Sequence, residues 1–174
     1  MIVTPAERDL LAEARRATLA TIAADGRSRL VPICFVLTED VIWSPIDEKR
    51  KAVDDPRGLA RIRDISRDPR VTLLVDRWSE EWTDLAWLRI EGHAELVASV
   101  DGVVQALRAR YPQYAHHDLE HRPMLRIAIE RASSWFASAA DLDPTRRTVE
   151  DLDPAAIDAD PDDGVSRPRG SGSE

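Results

Sequence analysis

A short basic segment is the first feature of this chain that could bind a ligand. Between Lys49 and Arg70 there are eight basic and four acidic residues, although the 174-residue chain has a formal net charge of −8. Three bases in a row follow a strand-like stretch and precede a helical one, which is typical of a phosphate-binding segment. A solvated basic surface has the same composition, so both interpretations stay open. The bases that could serve are Lys49, Arg50, Lys51, Arg57, Arg61 and Arg63.

Three tryptophans stand close together in a chain that is only 5% aromatic: Trp78, Trp82 and Trp87. Trp87 and Arg89 fall on the polar face of an alternating stretch. A tryptophan beside an arginine on a face outside the core suits a dimer interface or a flat ring with an anionic substituent. Tryptophans that fill gaps between a helix and a sheet would give the same pattern, and the sequence does not separate the two.

Other residue types that often do chemistry give weaker signals. His116, His117 and His121 lack the cysteine or carboxylate partners of a recognisable metal site, and we expect no metal there. Cys34 lies in the apolar run Val31–Leu37, where a small buried strand residue is a more common role than a nucleophile. No Ser-His-Asp motif, glycine-rich phosphate loop or paired-carboxylate signature is present.

Most elements that must position these residues have the two-residue period of β-strands. The alternation over Leu85–Val97 predicts a strand with one core face and one polar face. Pro32 within a predicted strand removes a ladder donor, which indicates a sheet edge, a bulge, or a backbone group that faces something other than a neighbouring strand. The strands predicted are 18–23, 28–37, 41–46, 71–75, 85–97 and 125–129, with 133–137 as a possible last one.

Three helices complete the expected architecture. Thr4-Pro5-Ala6-Glu7 predicts a capped helix that ends near Ala17. A second helix is expected within residues 54–68, and a third, capped by Ser99, ends before Pro112. Antiparallel strands joined by tight turns, with few helices, predict a mainly β barrel or sandwich.

Charge and composition divide the chain into a body and a tail. Residues 141–174 hold ten acidic residues and four arginines, and they have little apolar surface to bury. We therefore expect one folded domain over residues 1–140 and a disordered tail over residues 141–174. The near-neutral body argues against a nucleic-acid partner. A single cysteine and no signal-peptide-like or membrane-spanning stretch predict a cytoplasmic protein that does not bind membranes.

Several motifs in order resemble one protein family. Leu19-Ala20-Thr21-Ile22, Asp25-Gly26-Arg27 and Leu30–Phe35 are similar to the opening of pyridoxamine-phosphate-oxidase-like split-barrel oxidoreductases. The later motifs resemble the actinobacterial branch that depends on the deazaflavin coenzyme F-420. These motifs are Asp47–Val53, Asp68–Val71, Val75–Arg77, Trp82 with Leu85 and Trp87, and Arg110–Tyr114.

The resemblance implies a six-stranded antiparallel split β-barrel of the FMN-binding type, with peripheral helices, that forms a homodimer with cofactor sites at the interface. It implies phosphate contacts from Lys49 and Lys51, with Arg50 and Arg57 as further candidates. Relatives often carry proline where this chain has Arg50. It also brings Trp87 and Arg89 of the partner subunit near the cofactor ring. The positions expected to lie along that ring are Val31, Pro32, Ile33, Cys34, Trp43, Ser44 and Ile46.

The activity that the resemblance implies is hydride transfer between the reduced deazaflavin and a small organic substrate. FMN is the alternative cofactor, because its phosphate suits the same lysines. A module that binds a cofactor or haem without turnover is the alternative from a different class. No catalytic acid or base is assigned from the sequence.

Overall fold

The computed structural model describes residues 2–46 and 55–138, and residues up to Ala137 form one compact unit. Its helices are α1 (Pro5–Glu13), α2 (Ala60–Arg67) and α3 (Asp101–Arg110). Short 3-10 turns span Pro56–Gly58, Trp82–Asp84 and Pro112–His116. The strands are β1 (Ala17–Ile22), β2 (Ser28–Ile33), β3 (Val36–Thr38), β4 (Val41–Pro45), β5 (Arg70–Arg77), β6 (Ala86–Val97) and β7 (Met124–Phe136).

The strands of the described residues form one antiparallel sheet in the order β2-β1-β5-β6-β7-β4-β3. Its two edge strands, β2 and β3, are consecutive in the chain and joined only by Cys34 and Phe35. The sheet must therefore curl until its edges meet, yet these edges do not pair with each other. The protein is a mainly β split barrel, as predicted.

Within residues 2–46 and 55–138 the strand count is seven rather than six. The stretch 28–37, predicted as one strand, breaks at Cys34 and Phe35 because the chain passes there from one edge of the sheet to the other. The predicted stretches 125–129 and 133–137 are instead one continuous strand, β7. Pro32 lies on β2 at the sheet edge, which confirms the interpretation of this proline.

The capping signals in the sequence predict the start of α1 correctly and the cap of α3 incorrectly. The capping box is present: the Glu7 amide donates to Thr4 Oγ1 at 3.4 Å, and the Thr4 amide donates to Glu7 Oε2 at 2.7 Å. The helix ends at Glu13, before the predicted end near Ala17, because Ala17 already begins β1. The predicted Ser99 cap is wrong, because α3 has Val100 at its N-cap without a side-chain cap; Ser99 donates to the carbonyl of Glu120.

A β-bulge interrupts the long pairing of β6 with β7. Glu91 is opposite Arg131 and Gly92 is opposite Ile129, so Glu130 is the extra residue. A β-carbon at Gly92 would overlap the backbone carbonyl oxygen of Ala128, which explains the glycine. The bulge brings the Glu130 carboxylate to His93 Nδ1, at 2.6 Å.

Two apolar clusters stabilise the barrel. The larger one fills its interior and includes Leu19, Ile42, Leu73, Leu88 and Ile127, each fully buried. The smaller one lies between α3 and the sheet, and it includes Val36, Leu107, Tyr111 and Met124. None of the described helices is long and apolar enough to cross a membrane.

Candidate functional site

The junction between β2 and β3, formed by Cys34 and Phe35, is held by the side chain of Tyr111, the residue that directly follows α3. The Phe35 amide donates to Tyr111 Oη at 3.1 Å, and the same hydroxyl donates to the Phe35 carbonyl at 2.9 Å. Both backbone groups are buried and have no partner strand, so the hydroxyl takes the place of a strand neighbour. Arg110 lies over the Phe35 ring, 5.0 Å from its centroid, and donates to the Leu11 carbonyl at 2.6 Å.

The positions expected along a cofactor ring do not share one surface. Val31, Ile33 and Ile46 pack on the barrel interior, and Ser44 is buried. Cys34 and Trp43 pack instead on the cluster beneath α3. Pro32 is exposed on the opposite side of β2. Only the exposed residues and the backbone of the edge strand are therefore accessible to a ligand, and these seven positions stay predictions.

Trp87 and Arg89 lie on the outer face of the sheet, which we define by its exposed residues Leu30, Leu74 and Trp87. Leu74 is opposite Arg89 on β6, and Trp87 is opposite Trp135 on β7. The exposed fractions of Leu30, Leu74 and Trp87 are 64%, 42% and 38%. These three side chains lie on different strands, β2, β5 and β6, with polar residues such as Thr18, Thr72 and Arg89 beside them on the same face.

The loop between β5 and β6 carries the other two tryptophans of the sequence cluster. Trp78 is 73% exposed and Trp82 is 59% exposed, so neither fills a gap between a helix and the barrel within this chain. The loop is ordered by its own hydrogen bonds, among them Arg77 Nε to the Asp84 carbonyl at 2.7 Å. The interface interpretation of these side chains is the one that the exposure favours.

A groove of about 470 Å³ lies where β6 ends and β7 begins. Arg57 lines it together with His121 and Arg122, and apolar wall is supplied by residues such as Leu96 and Val97. The acidic side chain of Glu120, also in the lining, is bound by Arg108 at 2.5 and 3.0 Å. The other acidic lining residue, Asp55, accepts from the Arg57 amide at 2.9 Å. Arg57 and Arg122 are the lining side chains that suit an anionic group.

The predicted phosphate-binding bases Lys49, Arg50 and Lys51 lie outside the described residues. The described chain leads towards them from the groove: β4 ends at Pro45, and the Ile46 amide donates to the Pro123 carbonyl at 3.1 Å. Pro123 is part of the groove lining, and the chain is described again at Asp55, another lining residue. The described residues on either side of positions 47–54, Ile46 and Asp55, therefore lie at the groove.

A family model described as pyridoxamine 5'-phosphate oxidase matches residues 3–136. The chain belongs to the pyridoxamine 5'-phosphate oxidase family. The match covers the whole barrel, from the residue before the α1 cap to the end of β7. A search of curated proteins finds no match.

Solved structures share the family fold at low sequence identity. The conserved hypothetical protein Rv2991 from Mycobacterium tuberculosis is 24% identical, with a TM-score of 0.61 over 78% of this chain and 86% of that one. An F-420 reductase is 20% identical, with a TM-score of 0.55 over 75% and 98%. The haem storage protein HutZ from Vibrio cholerae is 16% identical, with a TM-score of 0.57 over 78% and 95%.

Within this family member, a buried carboxylate fixes α2 against the barrel. Asp64 accepts hydrogen bonds from Thr21 Oγ1 at 3.0 Å and from Arg29 Nε at 2.7 Å. Burial raises the pKa of the Asp64 carboxyl, but the bonds from Arg29 and Thr21 outweigh it and hold the pKa below its ordinary value of 3.8. Asp64 thereby positions the helix that directly follows the Arg57 turn.

The histidines do not assemble a metal site in the part of the chain that the structure describes. His121 pairs with Asp118 at 3.0 Å, and the His117 ring lies edge-on to Tyr114. No group of three or more cysteine, histidine or carboxylate residues in residues 2–46 and 55–138 is arranged to hold a metal ion. His121 instead lines the groove together with Arg57, a position that only the tertiary structure shows.

Sequence reasoning missed two residues of the site. The sequence does not single out Tyr111 or Arg122: Tyr111 bonds to Phe35, 76 positions away, and Arg122 shares a groove with Arg57, 65 positions away. For Tyr111 the signal available was the Arg110–Tyr114 motif, which carries the family resemblance but no assigned role. For Arg122 no local signal distinguishes it from other exposed arginines.

Proposed function

We propose that this protein is an oxidoreductase that uses coenzyme F-420 and transfers a hydride between the reduced cofactor and a small organic substrate. The observation that carries the proposal is the groove lined by Arg57 and Arg122, at which Ile46 and Asp55, the described residues on either side of positions 47–54, also lie. A phosphate-bearing cofactor needs such a set of bases. Membership of the pyridoxamine 5'-phosphate oxidase family, and the shared fold with an F-420 reductase, support it.

The residues present suit the anionic part of such a cofactor. Guanidinium groups donate paired hydrogen bonds to phosphate or carboxylate oxygens, and the apolar wall at Leu96 and Val97 limits competing water. The bound cofactor would supply the hydride chemistry. This chain's residues would hold its charged end, orient it along the exposed edge near Pro32, and exclude water through a partner subunit.

We also propose that the chain functions as a homodimer with the outer face as its interface. The exposed residues Leu30, Leu74 and Trp87 of this face would otherwise present large apolar side chains to water. The partner's Trp87 and the partner's Arg89 would then contribute to the cofactor site. Residues 1–140 would carry the function, and residues 141–174 would be a tail without a part in cofactor binding.

A cofactor titration tests this proposal. The purified chain is titrated with coenzyme F-420 and, in parallel, with FMN, and cofactor fluorescence is followed. We expect tight binding of F-420, weakened about tenfold or more by Arg57→Ala or Lys51→Ala, because each removes a charge-assisted bond worth roughly 1.5–3 kcal/mol. Arg16→Ala, an exposed arginine away from the groove, is the matched control. A chain ending at residue 140 should bind equally well.

The other outcomes of the titration decide between the alternatives. A preference for FMN would show that FMN, rather than the deazaflavin, is the cofactor of this site. Binding of haem and of neither flavin-type cofactor would move the protein to the class of binding modules. Under the proposal, the holo-protein also oxidises reduced F-420 when an electron-poor acceptor is added, and a carrier would not.

A further inference from the structure

The turn that carries His121 is anchored on both sides to the folded barrel. Before it, Leu119 is fully buried in the cluster beneath α3. After it, the Pro123 carbonyl accepts from the Ile46 amide at 3.1 Å. The position of His121 at the groove is therefore fixed by its neighbours in the chain, although its own side chain is exposed.

Asp118 fixes the imidazole ring within this turn. Its Oδ1 accepts from the His121 amide at 3.1 Å and from His121 Nδ1 at 3.0 Å. Because an ionised carboxylate only accepts, Nδ1 carries a hydrogen and Nε2 is the nitrogen left for a ligand. In a neutral ring this Nε2 is an acceptor, which repels an anion, whereas in a protonated ring it is a donor, which binds one. The protonation state of His121 thus decides how the ring meets an anion in the groove.

The carboxylates around His121 keep their charge over the range in which histidine titrates. The pKa of Asp118 lies below its ordinary value of 3.8, chiefly because the backbone amide of His121 donates to it. The pKa of Glu120 lies below its ordinary value of 4.5, chiefly because the side chain of Arg108 donates to it, at 3.0 Å. Asp118 and Glu120 therefore stay ionised above about pH 5.

Histidine is the one residue type in the described groove lining that ordinarily changes charge between pH 5 and 8, and His121 is the histidine of that lining. The cations that face it are Arg122 beside it and Arg57 from the turn before α2, and both stay charged. Residues 96–99, which form the wall at the end of β6, are uncharged. Residues 47–54 contain no histidine. The charge of the groove therefore changes over this range through one side chain.

We propose that His121 is a proton-dependent anion-binding residue of the groove, so that the groove holds an anion more tightly as the pH falls from about 8 to about 5.5. Protonated His121 joins Arg57 and Arg122 as a third donor, and neutral His121 does not donate. This proposal rests on the proposed function in taking the anionic end of the cofactor as the natural ligand, but the same lining acts on any small oxyanion. One exposed charge pair changes an affinity about threefold to fivefold.

A histidine titration with inorganic sulfate tests the site without any cofactor. Sulfate keeps its charge over this range, and binding and protonation are reciprocal, so bound sulfate must raise the pH at which His121 titrates. Proton NMR follows the ring signals of the four histidines in sodium sulfate and in sodium chloride of equal ionic strength. The His121 signal is the one absent from His121→Asn.

We expect saturating sulfate to raise the midpoint of the His121 titration by about 0.5–0.7 pH unit, which is the threefold to fivefold change on a logarithmic scale. The internal controls are the histidines outside the groove lining, whose midpoints should move by less than about 0.2 pH unit because general screening is matched. These histidines are His93, His116 and His117.

Matched variants show whether sulfate acts from the groove. Arg57→Ala removes a cation of the lining and should at least halve the effect of sulfate on His121, whereas Arg16→Ala, an exposed arginine outside the lining, should leave it unchanged. Asp118→Asn keeps an oxygen acceptor for Nδ1, so the effect should persist. Asp118→Ala releases the ring and should reduce it.

The same proton should act on cofactor binding. The ratio of the F-420 dissociation constants of His121→Asn and the wild type cancels any titration of the cofactor itself. We expect this ratio to fall from about fourfold at pH 5.5 to about one at pH 8. His121→Lys carries a permanent charge and should bind F-420 about fourfold more tightly than the wild type at pH 8.

The outcomes separate this proposal from the proposed function. Sulfate that leaves the His121 midpoint unchanged, or that moves all four histidines alike, would overturn the proposal even if F-420 binds. A sulfate effect confined to His121 in a protein that binds neither F-420 nor FMN would refute the proposed function and support the proton-dependent site. Should His121→Asn fail to fold by circular dichroism, His121→Lys identifies the signal equally well.

Discussion

Removing the Tyr111 hydroxyl should destabilise the barrel at its open junction. The Tyr111→Phe variant keeps the ring in the cluster beneath α3 but leaves the amide and the carbonyl of Phe35 without their partner. Phe35 is fully buried, so water cannot easily replace the hydroxyl. Each buried backbone group left unsatisfied costs about 1–3 kcal/mol. The two costs do not add fully, because the same local rearrangement relieves both groups. We expect the free energy of unfolding to fall by about 2–4 kcal/mol.

Urea denaturation followed by tryptophan fluorescence measures this loss. Ser66→Ala is the control, because it removes a hydroxyl bond to the Ile62 carbonyl on the exposed side of α2 and should change stability by less than about 0.5 kcal/mol. Equal stability losses in the two variants would show that the junction does not need the Tyr111 hydroxyl. The m-value should be unchanged, since the surface exposed on unfolding is the same.

Two further predictions concern the bulge and the buried carboxylate. Gly92→Ala should destabilise the protein by about 3 kcal/mol, because its β-carbon would overlap the Ala128 carbonyl. Gly102→Ala in α3, where a β-carbon meets no atom within 4 Å, should stabilise the protein by about 0.5–1 kcal/mol. Thermal melting measures both changes. The pKa of Asp64 is lower in the folded than in the unfolded chain, so its contribution to stability is present above about pH 4 and is lost as the pH falls through the folded pKa. Asp64→Asn should flatten that part of the stability profile between pH 6 and 3 in urea titrations, and an unchanged profile would contradict the assignment.

Short-range signals predicted the elements whose stabilising contacts are also short-range. The α1 capping box joins residues three positions apart, and the alternation in β6 follows from successive side chains pointing to opposite faces. The edge position of Pro32 follows from its missing amide hydrogen. These features depend on covalent geometry within a few residues, so they could be inferred before any tertiary contact was known.

The prediction of Ser99 as a helix cap failed for the opposite reason. Serine is a common capping residue, but α3 begins at Asp101 with Val100 at its N-cap, and the Ser99 hydroxyl donates to the carbonyl of Glu120, 21 residues away. A long-range effect also explains the break of the predicted strand 28–37: local β-propensity runs through it, while closure of the sheet requires a change of edge at Cys34.

By itself, the sequence determined a mainly β chain with capped helices, an edge strand at Pro32 and an outward-facing Trp87 and Arg89. Only the tertiary structure decided that Tyr111 closes the junction at Phe35, that Arg122 joins Arg57 in one groove, and that Trp78 and Trp82 are exposed. The physical reason is the range of the interactions. Helix caps and strand alternation depend on neighbours in the chain, whereas the groove and the outer face exist only after the sheet has curled.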